Sequence, residues 1–421
     1  MRILVIVDCY LPSLKSGAQL IHDLGVEFRR QGHEVTILTP SDTICKPFQV
    51  STEDGLRIAR VKTRTIKSRT KLFRAVREAR LSATLWGPAK SFLLANPADL
   101  IVFYSPTIFF GPLVQRLKSH WGCPAYLILR DIFPQWAVDA GILRKGLVWR
   151  YFRRKEIEQY AVADLIGVES PANLEYFARE FPKKPYRLQV LYNWAKLNGR
   201  DLPSTGYRER LSLHGKVVFF YGGNLGVVQD LDNIIRLAKR LTPQKQIHFL
   251  LVGEGSEVSK LERMIAEKDL SNIQILSAVP QQQYMSMLSE ADVGLISLDR
   301  RLRTHNVPGK LLGYINCGKP VLASVNPGND LFEILEKDQA GFCLLNGDDD
   351  GLYAAALMLA KDPELRTSMG NNSRKLLERL FSVDAAVRQI MKHFQQRANP
   401  VEERTMMQTA NSSRSASSFR T

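Results

Sequence analysis

The chain has 421 residues, 45% of them apolar and 24% charged, which suits two soluble domains of ordinary size and excludes a fibrous or low-complexity protein. The net charge is +16 and lopsided: residues 1–195 carry 29 Lys and Arg against 17 Asp and Glu, so an acidic surface or polyanion is expected to face that half. The five cysteines, Cys9, Cys45, Cys123, Cys317 and Cys343, have no CxxC spacing, which points to a reducing compartment and away from zinc or disulfide frameworks.

Residues 2–7, apolar from Ile3 onward and ended by Asp8, are read as a buried first strand and not as a signal peptide. No stretch approaches the roughly 20 apolar residues of a membrane span. A helix over 18–31, with Leu20, Leu24 and Phe28 on one face and Gly32 as its stop, leads to a second strand at 34–39. This is a βαβ unit whose strands should be parallel neighbours. Residues 57–61 read as an edge strand. A helix is expected over 71–92, with Leu72, Val76, Ala79, Ala83 and Trp86 on its apolar face. Strands follow at 100–104 and 125–129, and 163–169 closes the first sheet.

Near 193–204 the patterning lapses around Gly199 and Pro203, and a second α/β series begins. Its strands are expected at 217–221, 247–252, 273–276, 293–296 and 321–323, with helices at 231–241, 256–268, 281–290 and 351–361. The fold class is therefore α/β, two tandem Rossmann-like doubly wound domains facing a cleft across the carboxyl ends of their strands. The expected division is 1–195, 196–375, a helix at 376–397 packing back on the first domain, and a disordered tail at 398–421.

Four strand-end loops collect the candidate ligand contacts. They are the loop to Gly17, the Gly222-Gly223-Asn224-Leu-Gly226 turn with Gln229, the Gly253-Glu254-Gly255 turn, and the stretch 301–329. That last stretch brings Arg301, Arg303 and Lys310 together around the Pro308-Gly309 turn, ahead of a short helix. Cations and free backbone N–H groups at a helix start suit an anion, and a diphosphate is the natural guest. Glycines in such turns admit a ligand close to the backbone. Tyr221 stands where a GxGxxG motif needs glycine, which disfavours a nicotinamide dehydrogenase. The run Asp348-Asp-Asp reads as a helix cap, not a metal site, and His22 as a surface histidine. No metal ligand cluster or Ser-His-Asp arrangement is visible.

The segments Gly32-His-Glu-Val, Gly222-Gly-Asn, Val252-Gly-Glu-Gly and Cys317-Gly-Lys-Pro-Val together resemble the family 4 glycosyltransferases of GT-B fold, over residues 1 to about 395. The run Leu129-Arg-Asp-Ile-Phe-Pro-Gln-Trp, with Thr304-His-Asn-Val-Pro-Gly-Lys, is similar more narrowly to the WbuB-type N-acetyl-L-fucosamine transferases of O-antigen assembly. The resemblance implies retaining transfer from a UDP-sugar, without a metal or other cofactor. It implies a nucleotide on the C-terminal domain and an undecaprenyl-diphosphate-linked saccharide on the N-terminal one. Two glutamates common in the family fall here at His305 and Gly313. Its usual arginine falls at Asn224 and its lysine near Gln229, which leaves Lys310 and Arg303 as substitute cations. On this reading the donor site is Gly17, Gly223, Asn224, Gln229, Gly253, Glu254, Gly255, Arg303, His305, Gly309 and Lys310.

Asp131 and His305 are the catalytic candidates, Asp131 for binding or deprotonating an acceptor hydroxyl beside Arg130. Between Arg57 and Arg80 there are ten cations and one acid. Lys71, Arg74, Arg77, Arg80 and Trp86, with Arg130, Trp149 and Arg153, form the expected face toward acceptor and membrane. An anionic leaflet attracts such segments, so a cytoplasmic protein peripheral to the inner face of the plasma membrane is expected, with no nucleic-acid partner. Two other readings stay open: a nucleotide-sugar epimerase of the same shape, and a non-catalytic subunit of a glycan assembly.

Overall fold

The computed structural model describes residues 1–13, 16–63, 78–139, 141–197, 206–302 and 307–394. Among them, β1 (Arg2–Ile6), β2 (Glu34–Ser41), β3 (Phe48–Glu53), β4 (Leu56–Lys62), β5 (Leu100–Tyr104), β6 (Ala125–Leu129), β7 (Leu165–Val168) and β8 (Leu188–Val190) form one sheet in the order β3-β4-β2-β1-β5-β6-β7-β8. The connecting helices are α1 (Ser16–Arg30), α2 (Leu81–Ala95), α3 (Gly111–Trp121), α4 (Gln135–Asp139), α5 (Leu147–Val162) and α6 (Pro171–Glu180). Strand pairs are parallel except the β3–β4 hairpin. The βαβ start is as expected, with Ile3 opposite Val35 and Val5 opposite Ile37.

After the short helix α7 (Tyr207–Arg210), the second sheet contains β9 (Val217–Gly222), β10 (Ile247–Val252), β11 (Ile273–Leu276), β12 (Val293–Ser297), β13 (Val321–Val325) and β14 (Gly341–Leu345), ordered β11-β10-β9-β12-β13-β14. All its pairs are parallel. Helices α8 (Asp232–Arg240), α9 (Val258–Glu267), α10 (Gln281–Glu290), α11 (Lys310–Asn316), α12 (Leu331–Lys337), α13 (Asp349–Lys361), α14 (Pro363–Leu376) and α15 (Val383–Met391) complete the chain. Each sheet has an apolar cluster on both faces, which is why its central strands read as unbroken apolar runs and not as alternations.

Several expectations are corrected. Residues 57–61 belong to an interior strand, because Asp54 and Gly55, at φ 49° and 75°, turn the chain back and lay β3 outside β4. The first sheet closes with β8, not at 163–169, and the second with β14. The expected face of α2 is out of phase. Leu81, Leu85, Ala89 and Leu93 are buried while Ala79 and Ala83 are exposed, because the helix begins afresh at Leu81. His22 is no surface histidine: its Nδ1 is 2.8 Å from the Tyr10 hydroxyl and its Nε2 is 3.2 Å from Asp54.

The last helix is two. Asp362 caps α14 by accepting from Leu365 N at 2.8 Å, and Ser382 caps α15 by accepting from Ala385 N at 3.1 Å. Between them the chain crosses back to the first sheet. Val387, Ile390, Met391 and Phe394 join the cluster around β1 and α1. The outgoing crossing at Ala195 bonds Phe381 O at 2.8 Å, so the two crossings run side by side.

Candidate active site

The donor side is built where β9 and β10 end. Gly223 N donates to Val252 O at 2.9 Å and Leu225 N to Glu254 O at 2.8 Å, so the two glycine turns are laced together. A Cβ at Gly253 would fall inside the Gly223 carbonyl, and one at Gly255 inside the Leu225 carbonyl. These two glycines thus serve loop-on-loop packing and not ligand approach. Gly223 is the opposite case: its φ is +124°, and the nearest atom to a Cβ there is Lys310 Cε at 3.9 Å. It leaves the space in front of it open. Asn224 and Glu254 are exposed, and Asn224 folds over Gly226.

Lys310 opens α11 and is the centre of this side. Its Nζ donates to Gln229 Oε1 at 2.6 Å and lies 4.7 Å from the Tyr221 ring centre. The Tyr221 hydroxyl is 3.0 Å from the same Gln229 oxygen and 2.8 Å from Asn224 O. Burial, with no charged partner among the described residues, pushes the Lys310 pKa down to about 8. Arg301, by contrast, is spent on Asp299, which it grips through Nε at 3.0 Å. Gly309 is exposed with open space around it. Arg303 and His305 lie outside the described residues.

Gly313 faces α10. A Cβ there would meet Leu288 at 3.3 Å and the Tyr284 ring at 3.9 Å. The Tyr284 ring also crosses directly over Gly222, so it fills the room between these two glycines. The absence of a side chain at 313 is therefore paired with a bulky one at 284, which the sequence reading did not connect.

The opposite wall comes from the first sheet. A cleft of about 1020 Å³ runs between Asp131, Gln135, Trp136, Asn173, Tyr176 and Arg179 on one side and Arg300, Arg301, Leu302 and Pro327 on the other. Asp131 is half-buried, and desolvation, then Asp8, raises its pKa, while Arg130 lowers it. Gly17 opens α1 on this side, 3.2 Å from the Tyr104 ring measured at its would-be Cβ.

Beneath Asp131 the structure reveals a buried acid the sequence reading passed over. Glu169, at the end of β7, is 5% exposed and accepts from Asn193 Nδ2 at 2.5 Å. Desolvation raises its pKa to about 7, with Arg130 opposing and Asp131 reinforcing. The signal was an acid ending an apolar run, the same signal that Asp8 gives. A carboxyl with a raised folded pKa binds its proton more tightly folded than unfolded. Stability held below pH 4.5 is therefore lost as the pH rises through about 7. Glu169→Gln is expected to raise stability at pH 8 by on the order of 1–2 kcal/mol and to change nothing at pH 4, read from thermal melts at both values.

Of the expected acceptor and membrane face, the described residues do not share one surface. Arg130 is buried, donating to Leu191 O at 2.6 Å and Tyr192 O at 3.3 Å, with its guanidinium 5.0 Å from the Trp194 ring. It fastens the chain where it leaves the first sheet. Arg153 turns inward to Glu156 at 2.8 Å and sits 4.2 Å from the Phe181 ring. Trp86 is half-buried and stacks on His120. Trp149 is half-buried beside Lys145. Arg80 is exposed just before α2. Lys71, Arg74 and Arg77 lie outside the described residues. Asp348 caps α13 by accepting from Gly351 N at 2.9 Å.

Two parallel-dominated α/β domains with glycine turns and a buried cation at the facing strand ends define the GT-B class of glycosyltransferases. The Glyco_trans_4_4 domain signature, glycosyl transferase 4-like, matches residues 17–194, and the Glycosyl transferases group 1 signature matches 206–376. The chain belongs to this glycosyltransferase family and is an enzyme of that kind. It is 26% identical over 296 residues to WbjE of Pseudomonas aeruginosa, named as a probable glycosyltransferase, covering 68% of this chain and 69% of that one. WcaI, assigned as a colanic acid biosynthesis glycosyl transferase in Escherichia coli K12, is 23% identical over 80% of this chain and 86% of its own. Among solved structures, Anabaena HepE in complex with UDP superposes with a TM-score of 0.65 at 16% identity, covering 94% of this chain and all of that one.

Proposed function

We propose that the protein transfers a deoxyamino sugar, of the N-acetyl-L-fucosamine type, from a UDP-sugar to an undecaprenyl-diphosphate-linked saccharide, with retention at the anomeric carbon, in assembly of a bacterial surface polysaccharide. The observation that carries the donor half is Lys310. An ammonium held by an amide oxygen and an aromatic face, beside the open Gly223 peptide, is a cation short of its anion. A diphosphate supplies that anion. The name of WcaI supports the polysaccharide setting, and the UDP complex of HepE supports the nucleotide.

In this reading Lys310, aided by Arg303, stabilises charge on the leaving diphosphate. The acceptor oxygen bonds to the anomeric carbon on the face the diphosphate leaves. Its proton passes to the departing phosphate oxygen, and no metal takes part. Asp131 orients the acceptor hydroxyl, and its raised pKa strengthens it as a hydrogen-bond acceptor. Asp131→Asn should lower transfer by about 10²- to 10³-fold while UDP affinity stays within about twofold. Steady-state transfer and a UDP titration on the same preparation test this; equal transfer by the variant would remove Asp131 from the reaction. The work is placed at the cytosolic leaflet, where a lipid-linked acceptor is presented.

A further inference from the structure

Between Asp139 and Glu156 the chain carries six cations, Arg144, Lys145, Arg150, Arg153, Arg154 and Lys155, and no acid. This stretch directly follows α4, whose Gln135, Trp136 and Asp139 line the cleft. It therefore lies at the same end of the first sheet as Asp131. Four of its large apolar residues are exposed. Ile142 is 68% exposed, Leu147 76%, Val148 58% and Tyr151 43%.

The helical spacing of α5 explains why. Glu156, Gln159 and Tyr160 are buried and Phe152 packs against the core, which fixes the inward face. Leu147 and Tyr151, one turn apart, then point outward, with Val148 on one flank and Arg150 and Arg154 on the other. Large apolar side chains and cations share one outer surface. No helix among the described residues is long and apolar enough to cross a membrane.

We propose that this patch docks on an anionic lipid bilayer. Ile142, Leu147, Val148 and Tyr151 enter the interface, and Arg144, Lys145 and Arg150 sit among the headgroups. The proposal rests on the reading of the acceptor as lipid-linked and names the surface that brings the cleft to it. It stands apart from the expected face on 71–92, of which Ala79, Ala83 and Trp86 are among the described residues and Trp86 is packed on His120. A second copy of the chain is a poor occupant, because it would set Arg144, Lys145 and Arg150 against their own copies. Interfacial amphipathic surfaces bind by apolar insertion together with attraction to anionic lipid, and both parts are present here.

Co-sedimentation with phosphatidylcholine vesicles, with and without phosphatidylglycerol, tests the proposal on the full chain. Wild type should pellet with the anionic vesicles, not with the neutral ones, and should be released by high salt. One cation near an anionic leaflet is worth about fivefold in affinity, so Arg144→Ala, Lys145→Ala and Arg150→Ala together should cost on the order of a hundredfold. Ile142→Ser, Leu147→Ser and Val148→Ser together should cost at least about tenfold. All six side chains are outside the cleft, so both variants should keep the rise in melting temperature on adding UDP. Vesicle binding unchanged in either variant, no binding by wild type, or a wild-type dimer dissolved by the serine variant would each overturn it. Docking without any response to UDP would instead sink the donor reading and leave the docking surface standing.

Discussion

Lys310→Ala is expected to weaken UDP and UDP-sugar binding by at least tenfold, without unfolding the domain. A charge-assisted phosphate contact contributes about 1.5–3 kcal/mol, and a factor of ten corresponds to about 1.4 kcal/mol. The sign of its stability effect is opposite to that of an ordinary salt-bridged lysine. With a folded pKa of about 8 against an ordinary 10.5, the unfolded chain binds the proton more tightly. Stability should therefore rise as the pH climbs from 8 toward 10.5, and this rise should vanish in the variant. At pH 7 the variant sheds the cost of a desolvated charge, so its melting temperature in the absence of UDP should match or exceed wild type. Affinity for UDP should also fall as the pH passes about 8, because the neutral amine no longer attracts phosphate. Calorimetric UDP titrations at pH 7 and pH 9.5, with thermal melts of both proteins without UDP from pH 7 to pH 10.5, measure all of this; equal affinity for the two proteins would reduce the site to an ordinary turn.

Gly253→Ala should be the most disruptive single methyl in the molecule's donor half. Its Cβ would occupy the volume of the Gly223 carbonyl oxygen, which is backbone and has no rotamer to retreat into. Relief requires parting the β9 and β10 turns, and with them the bonds from Gly223 N to Val252 O and from Gly253 N to Leu276 O. Overpacking of this kind costs roughly 1–3 kcal/mol, and each stranded backbone bond adds roughly 1 kcal/mol more. A loss of about 3 kcal/mol or more in urea unfolding is expected, with UDP binding lost even where the domain stays folded. Gly87→Ala, in open space on α2, should do neither and serves as the control.

How much of this was legible follows from what each residue depends on. Strands buried on both faces write themselves as apolar runs, so β1, β5, β6, β9, β10 and β12 were readable without partners. The strands that were missed, β3, β8 and β14, are short or edge elements whose pairing comes from turns elsewhere; Asp54-Gly55 was a hairpin signal that went unused. Lys310 was singled out from its own loop. Its partner Gln229 is 81 residues away, and the contact between them exists only because β9 and β12 are neighbours. Tyr284 is beyond any local pattern, since its meaning depends on two glycines, 222 at the end of β9 and 313 inside α11. Arg130 and Arg153 show the converse error. A cation at a strand end (Arg130) or in a basic stretch (Arg153) reads as surface, yet these two are drawn inward by carbonyls, Glu156 and aromatic faces.

The central claim is transfer from a nucleotide sugar to a second molecule, and one measurement bears on it most directly. Purified protein is incubated with UDP-N-acetyl-L-fucosamine, with and without a lipid-linked saccharide, and both UDP release and the anomeric configuration of the product are followed. UDP release that requires the acceptor, with the donor's anomeric configuration kept in the product, is the predicted result. Sugar chemistry that proceeds without acceptor would mark an epimerase, and tight UDP binding with no release would mark a non-catalytic subunit; either would contradict the account.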